Sequence, residues 1–480
     1  MGLIAPVEPV PLAELGRVHF IGIGGVGMSG VARVMTARGV KVSGSETVDG
    51  PVLADLAALG ADVHLGQAAA NLDGVDTVVV STAIRPGNTE LVEAGKRGLR
   101  VLHRASALAS LMLGKYGIAV SGTHGKTTTT SMITTVLRRC GADPGYVIGG
   151  ILNETGLSAE NGHGEAFVAE ADESDGSLLM LAPRMAVITC VDADHLDNYA
   201  GMAEIEATFA AFARRVAPGG TLIACADDPR TAALARAARD LGQRVRTYGE
   251  SPTADYVVAS VRPGGMRVGF TVTARPGAVT GSPPPAELEA GIPGRHNALN
   301  AAAAYAAALE LGLPAGQVAA GLAGYAGAKR RLEPRGEAGG VLVLDSYAHH
   351  PAELAADLHT AREIRPGGRV IAVFQPHLFS RTRIFAAEFG AALGLADQAI
   401  VMDVYGARED PEPGVTGRMV ADAAPGGRVR FVAERRDVPP AAAAAARPGD
   451  LVLTMGAGDV TRLGPLILAE LRGRAAVPGG

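Results

Sequence analysis

The chain is short of cysteine, of clustered positive charge and of long apolar runs, and each shortage excludes something. Its three cysteines, Cys140, Cys190 and Cys225, lie in or beside apolar stretches without C-x-x-C spacing, which argues against a disulfide framework or a zinc site and suits a reducing compartment. Basic residues number 44 against 49 acidic ones, a net charge of −5, and no long Lys/Arg run offers a grip on nucleic acid. Small anions stay open as ligands, because a local Gly-Lys loop does not depend on net charge. No unbroken apolar run nears the roughly 20 residues that span a bilayer. Residues 1–11 carry prolines and Glu8 but no basic stretch leading into an apolar core, so no secretory signal is expected. The expectation is a cytoplasmic protein, monomer or homodimer, with small-molecule partners and neither membrane nor nucleic acid among them. Its 480 residues, 48% hydrophobic and 19% charged, are too many for one core and suggest three domains.

Amid that composition stands Val120-Ser121-Gly122-Thr123-His124-Gly125-Lys126-Thr127-Thr128-Thr129, after an apolar run at 116–119 and before an apolar-periodic segment through Cys140. It predicts a strand, a phosphate loop and a helix. Gly122 and Gly125 let backbone amides approach anionic oxygens, and a helix N-terminus adds a favourable dipole. Lys126 can place a cation between β- and γ-phosphates, and the Thr127 hydroxyl can reach Mg²⁺. A nucleoside triphosphate is implied. Val120 stands where the strict pattern has glycine, so only Gly-x-x-Gly-Lys-Thr is kept; the bland alternative is a chance turn with a solvated lysine.

Downstream, a strand at 166–169 delivers Glu170-Ala171-Asp172-Glu173-Ser174-Asp175, and Glu170, nearest the strand, is the candidate carboxylate for Mg²⁺. A solvated acidic turn is the competing reading. Another strand at 185–190 leads into Val191-Asp192-Ala193-Asp194-His195-Leu196-Asp197-Asn198. His195, set among three aspartates, is either a metal ligand or a structural histidine.

Upstream, the strand Arg17-Val18-His19-Phe20-Ile21 enters Gly22-Ile23-Gly24-Gly25-Val26-Gly27, and a second strand at 40–43 ends at Glu46. Alone this Gly-x-Gly-x-x-Gly reads as a nicotinamide dinucleotide site. Its physics is met by any nucleotide diphosphate, so the cofactor stays open at this point. A strand at 75–80 is followed by Ser81 and Thr82, and His103 and Arg104 lie near a further strand end, where ligands of such sheets bind. Apolar strands alternating with helical stretches predict a parallel, doubly wound sheet.

A hairpin is expected over 256–273, then a spacer at Pro283-Pro284-Pro285, then an alanine-rich helix on which Asn297 and Asn300, three apart, could meet one base edge. Capping is the alternative for Asn297. Strands at 341–344, 370–374, 399–404 and 451–455 each end in polar residues, among them Asp345-Ser346-Tyr347-Ala348-His349-His350-Pro351 and Gln375-Pro376-His377 with Arg381-Thr382-Arg383. They predict a third parallel α/β domain whose arginines can hold carboxylates. The fold class expected is α/β in three domains. These are a Rossmann-like N-terminal domain over 1–113, a P-loop ATPase-like central domain with a parallel sheet and a small antiparallel part over 114–313, and a Rossmann-like C-terminal domain over 314–480.

In this order, seven blocks resemble the Mur ligase family of ATP-dependent peptide synthetases: Gly22 to Gly30, Gly122 to Thr129, Glu170 to Asp175, Asp192 to Asp197, Gly294-Arg295-His296-Asn297-Ala298-Leu299-Asn300, Asp345 to Pro351, and Phe374 to His377 with Arg381 to Arg383. The likeness is strongest to the branch that adds the first amino acid of the peptidoglycan stem peptide, and the family uses the shorter phosphate-loop form seen here. It implies a UDP-sugar diphosphate, not NAD, on Gly24, Gly25, Val26, Gly27 and Met28. Glu46 replaces the family's aspartate, and Ser81, Thr82, His103 and Arg104 are further substrate candidates. It implies ATP on Gly122 through Thr128, adenine near Asn297 and Asn300, the ATP ribose near Asp345, and Mg²⁺ at Thr127, Glu170 and His195. His377, Arg381 and Arg383, with Tyr347 and His349, would lie near the amino acid or the reacting groups. The implied reaction joins L-alanine to the lactyl carboxylate of UDP-N-acetylmuramate through an acyl phosphate, releasing ADP and phosphate, in peptidoglycan precursor synthesis and so in cell-wall growth, shape and division. Three alternatives are a recycling ligase that attaches a preformed tripeptide to the same sugar, a nicotinamide-dependent dehydrogenase, and a non-catalytic nucleotide sensor.

Overall fold

The computed structural model describes residues 3–196, 198–277, 285–407 and 409–475. Most of the Pro283 spacer and Asp197 of the aspartate cluster lie outside them. Among the described residues three sheets are formed.

The first has five parallel strands in the order Asp62–Leu65, Val42–Glu46, Val18–Ile21, Thr77–Val80, Arg100–His103. Val18–Ile21 pairs with Val42–Glu46 on one side and Thr77–Val80 on the other. The chain therefore changes direction beside Val18–Ile21, and a crevice opens at the carboxyl end of that strand. The glycine fingerprint follows there and leads into the helix Val26–Ala37. Val18, Phe20 and Ile21 are fully buried, as expected of a central parallel strand covered on both faces.

The second sheet has ten strands, in the order Ala286–Ala290, Arg267–Ala274, Tyr256–Gly264, Arg244–Gly249, Thr221–Cys225, Met185–Ile188, Tyr116–Ser121, Ala166–Glu170, Gly145–Val147, Ala159–Glu160. Tyr116–Ser121 runs parallel to both neighbours, with Ser121 opposite Ile188 and Val120 opposite Glu170. Three carboxyl ends thus stop at one level, and the loops that follow them emerge together. They carry the phosphate loop, the acidic turn at 171–175 and the His195 segment.

The third sheet has six strands in the order Glu333–Ala338, Val341–Ser346, Leu451–Met455, Val370–Phe374, Gln398–Val401, Val429–Phe431. Five are parallel, but Glu333–Ala338 is antiparallel to Val341–Ser346, which corrects the wholly parallel expectation. The two are joined only by Gly339-Gly340, a connection long enough for a hairpin and too short for a crossover.

These elements fall into two compact units. One comprises Met1–Ala259, Thr271–Leu288 and Leu299–Ala326; the other comprises Ser260–Phe270, Glu289–Ala298 and Gly327–Gly480. The first and middle sheets' nucleotide-loop strands share the first unit.

Candidate active site

The phosphate loop is shaped by what touches it. Gly122 has φ +135°, and a Cβ there would stand 2.0 Å from Thr189 Oγ1, so the strand end can approach its neighbour only without a side chain. Gly125, at φ +82°, is the residue before the helix Lys126–Arg139, and a Cβ there would meet Asn300 Oδ1 at 2.7 Å. The first intrahelical bond runs from Thr129 N–H to the Gly125 carbonyl at 2.9 Å, so the amides of the first turn have no acceptor within the helix. That is the geometry of an anion site. Cys190 supports the loop from below: its carbonyl accepts from Thr123 N–H at 2.9 Å and its Sγ from His124 N–H at 3.3 Å. Burial pushes the Cys190 thiol up to about 12, so it stays neutral there. Thr128 is buried, and His124 Nε2 stands 3.8 Å from Asp192.

Charge gathers on one side of this loop. Lys126 Nζ donates to the Gly122 carbonyl at 2.7 Å, the Thr123 carbonyl at 3.1 Å and Glu173 Oε1 at 2.7 Å. Burial works against its charge, but Glu173, Asp172 and Glu170 outweigh it and hold the ammonium above its ordinary pKa. The Thr127 hydroxyl donates to Glu170 Oε1 at 3.1 Å, and Glu170 Oε2 accepts from Gly149 N–H at 2.8 Å. His195, at φ +55°, has Glu173 Oε1 and Asp194 Oδ2 each 3.6 Å from its Nε2. A non-glycine residue held in that conformation is strained, which its surroundings must offset. Asp172 is pulled down to about 2: burial would raise it, but Arg104, Lys126, His195 and the Ser174 amide together prevail.

Arg104 ties the fingerprint to the acidic turn beside the phosphate loop. It packs over Gly27 of the fingerprint, 3.0 Å from where a Cβ would be, and its Nη2 reaches Asp172 Oδ2 at 3.3 Å. His103 accepts the Ala105 amide on Nδ1 at 3.2 Å and turns Nε2 toward Asp175, 3.6 Å away; burial, more than any charge nearby, lowers its pKa. Glu46 braces the fingerprint turn, its Oε2 accepting from Gly24 N–H at 3.0 Å and its Oε1 from Thr47 N–H at 2.8 Å. Gly25 and Val26 start the fingerprint helix, and the Met28 side chain is core, leaving only its backbone for a ligand. Ser81 opens a tight turn, its carbonyl accepting from Ile84 N–H at 3.0 Å, with Thr82 exposed at the tip.

Asn300 belongs to this unit, where its Oδ1 accepts from the Thr129 hydroxyl at 3.2 Å. Asn297 groups with the other unit, its Nδ2 donating to the Pro293 carbonyl at 2.6 Å.

In that second unit Asp345 is fully buried. Thr454 and Thr461 hydroxyls donate to it at 2.6 and 2.7 Å and Arg330 Nε at 3.2 Å, so as placed it orients Arg330. The Arg330 guanidinium lies 4.9 Å over the Tyr347 ring. Tyr347, His349, His377 and Tyr405 form a ladder of rings with centroids 5.3, 6.2 and 5.9 Å apart. Arg381 is buried, whereas Arg383 is half in solvent and pairs with Glu412 at 3.0 Å. The stacking of Tyr405 on His377 depends on the chain bridging the two residues, which local pattern does not reveal.

A loop for a triphosphate, a fingerprint for a nucleotide diphosphate and an arginine joining them describe a nucleotide-dependent enzyme built from successive α/β domains. Residues 17–116 match the Mur ligase family catalytic domain, residues 120–308 the Mur ligase middle domain and residues 330–458 the Mur ligase glutamate ligase domain. The chain belongs to the Mur ligase family. It is 54% identical over 479 residues to a UDP-N-acetylmuramate--L-alanine ligase of Thermobifida fusca, covering 98% of this chain and 100% of that one. Among solved structures, UDP-N-acetylmuramate-alanine ligase from Thermotoga maritima is 28% identical with a TM-score of 0.78, covering 95% and 99% of the two chains. A murein peptide ligase from Psychrobacter arcticus is 25% identical with a TM-score of 0.70, covering the same shares.

Proposed function

We propose that this chain is an ATP-dependent ligase that joins L-alanine to the lactyl carboxylate of UDP-N-acetylmuramate, giving ADP and phosphate, in peptidoglycan precursor synthesis. The observation that carries this is full-length similarity, at 54% identity, to a relative of that name. The recycling ligase is supported less, by a lower TM-score and identity. Membership of this family also leaves the dehydrogenase reading of the fingerprint without support.

A carboxylate is a poor electrophile, so activation comes first. A lactyl oxygen attacks the γ-phosphorus, the bond to the β-bridging oxygen breaks, and an acyl phosphate and ADP result. The amine of alanine, having lost its proton, then attacks the acyl carbon, and the carbon–oxygen bond to phosphate breaks. Both steps build negative charge on oxygens, which Lys126 and the first-turn amides are placed to neutralise. Arg104 would carry the diphosphate end of the sugar nucleotide on the fingerprint helix. We assign His377, Arg381 and Arg383, with Tyr347 and His349, to the amino acid and the reacting groups.

Thr127 and Glu170 offer adjacent hard oxygens of the kind Mg²⁺ selects, and that pair fits the ion. Among the described residues no group of three or more histidine, cysteine, aspartate or glutamate side chains is set to hold a metal, so His195 is proposed for the ion on family likeness alone. When bound, Mg²⁺ would spread the charge of the phosphate oxygens. No helix among the described residues is long and apolar enough to cross a membrane, and we place the protein in the cytoplasm, with its nucleotide substrates.

The test is to incubate the protein with UDP-N-acetylmuramate, ATP and Mg²⁺, add amino acids one at a time, and weigh the products. An alanine adduct formed with ADP supports the proposal; no adduct with alanine, or one only with a preformed tripeptide, contradicts it.

A further inference from the structure

Glu173 is a carboxylate that the reaction as derived does not use. Its residue is 2% exposed, one oxygen lies against Lys126 at 2.7 Å and 3.6 Å from His195 Nε2, and the other, Oε2, is buried without a hydrogen-bond partner. The backbone around it is clamped from three directions. The Tyr199 hydroxyl donates to the Glu173 carbonyl, Asn198 Nδ2 to the Ser174 carbonyl at 3.0 Å, and Ile4 N–H to the Asp175 carbonyl at 3.0 Å. Ser177 N–H adds a bond to Asp175 Oδ1 at 3.0 Å. Lys126, by contrast, reaches Glu173 on a flexible four-carbon stem.

We infer that Glu173 is a positioning residue for the phosphate-binding lysine: a fixed counter-ion that holds the Lys126 ammonium at the mouth of the loop and that an incoming terminal phosphate must displace. The reasoning is electrostatic. A buried carboxylate that loses its cation is destabilised, so nucleotide binding is opposed by the cost of parting the pair. The same cost favours return of the lysine to Glu173 once the transferred phosphate has gone, which assists product release. Glu173 therefore trades nucleotide affinity for turnover.

This rests on the triphosphate reading of the loop, and the test separates the two. Binding of a nonhydrolysable ATP analogue is measured by calorimetry on the full chain in EDTA, which removes any contribution of an ion, for wild type, Glu173→Gln, Lys126→Ala and the double variant. The expected result is at least about fivefold tighter binding by Glu173→Gln, with no gain when Lys126 is already alanine. In steady state with Mg²⁺, Glu173→Gln lowers both KM for ATP and kcat, the signature of binding gained equally in ground and transition states with slower release. Glu173→Asp, which keeps the charge but withdraws it by one methylene, falls between and serves as the folded control should the glutamine variant melt early. Equal or weaker binding by folded Glu173→Gln overturns the inference. If Lys126→Ala leaves binding unchanged, the loop reading itself fails.

Discussion

Lys126 is the residue on which the proposed chemistry converges: it begins the helix after the glycine loop and is held between two loop carbonyls and Glu173. The ammonium's hydrogen bonds are to two loop carbonyls and one carboxylate, so its removal takes no apolar contact from the core. Lys126→Ala is therefore expected to fold, shown by an unchanged far-ultraviolet circular dichroism spectrum, and to lose ligase turnover by at least roughly 100-fold, the usual effect of deleting one preorganised donor. Phosphate release at the wild-type rate would remove the lysine from the mechanism. At this scale much was legible beforehand. Gly122, Gly125, Lys126 and Thr127 stand out because they fall in one local pattern, and Glu170 because it ends an apolar strand. The role of Glu173 does not, because its contact with Lys126 spans 47 positions of sequence and only the fold brings them together. Glu46 is a second case: its place after the second strand was legible, but its hydrogen bond from the Gly24 amide, 22 positions back, was not.

Among elements, those that were plain in sequence are the ones buried on both faces. Val341–Ser346, Val370–Phe374 and Leu451–Met455 are near-continuous apolar runs because helices cover the parallel sheet on either side. Edge strands lack that signal. Asp62–Leu65, Ala159–Glu160 and Glu333–Ala338 carry charged or small residues, and their backbones are held in register by neighbouring strands, not by their own side chains. The helix Pro351–Ile364 of the second unit adds a pH dependence that no sequence pattern signals. Its Asp357 accepts the Ser346 hydroxyl, and burial pushes its carboxyl up to about 7, with Glu353 adding to the rise and Ser346 and Arg331 opposing it. A carboxyl raised on folding contributes stability that is fully present below its unfolded value of about 3.9 and is lost as pH climbs through the folded value. The melting temperature of wild type, relative to Asp357→Asn, should thus fall between about pH 4 and pH 7 and level off above. A constant difference across that range would show that Asp357 titrates normally.

For the molecule as a whole, the placing of two nucleotide loops in one unit is the organising fact. The fingerprint helix is joined through Arg104 and Asp172 to the acidic turn whose Glu173 holds Lys126, so in the proposed reaction one packed body would present the sugar nucleotide and the triphosphate to each other. That architecture suits the proposed reaction, in which a sugar acid must reach a γ-phosphate before any amino acid is joined. The most direct check is to supply UDP-N-acetylmuramate labelled with heavy oxygen in its lactyl carboxylate, together with ATP, Mg²⁺ and L-alanine, and to weigh the inorganic phosphate released. One heavy oxygen in the phosphate is the predicted result, because the carboxylate oxygen that attacks phosphorus leaves with it. Phosphate free of label, with label retained in the product, would contradict activation of the sugar acid on this loop.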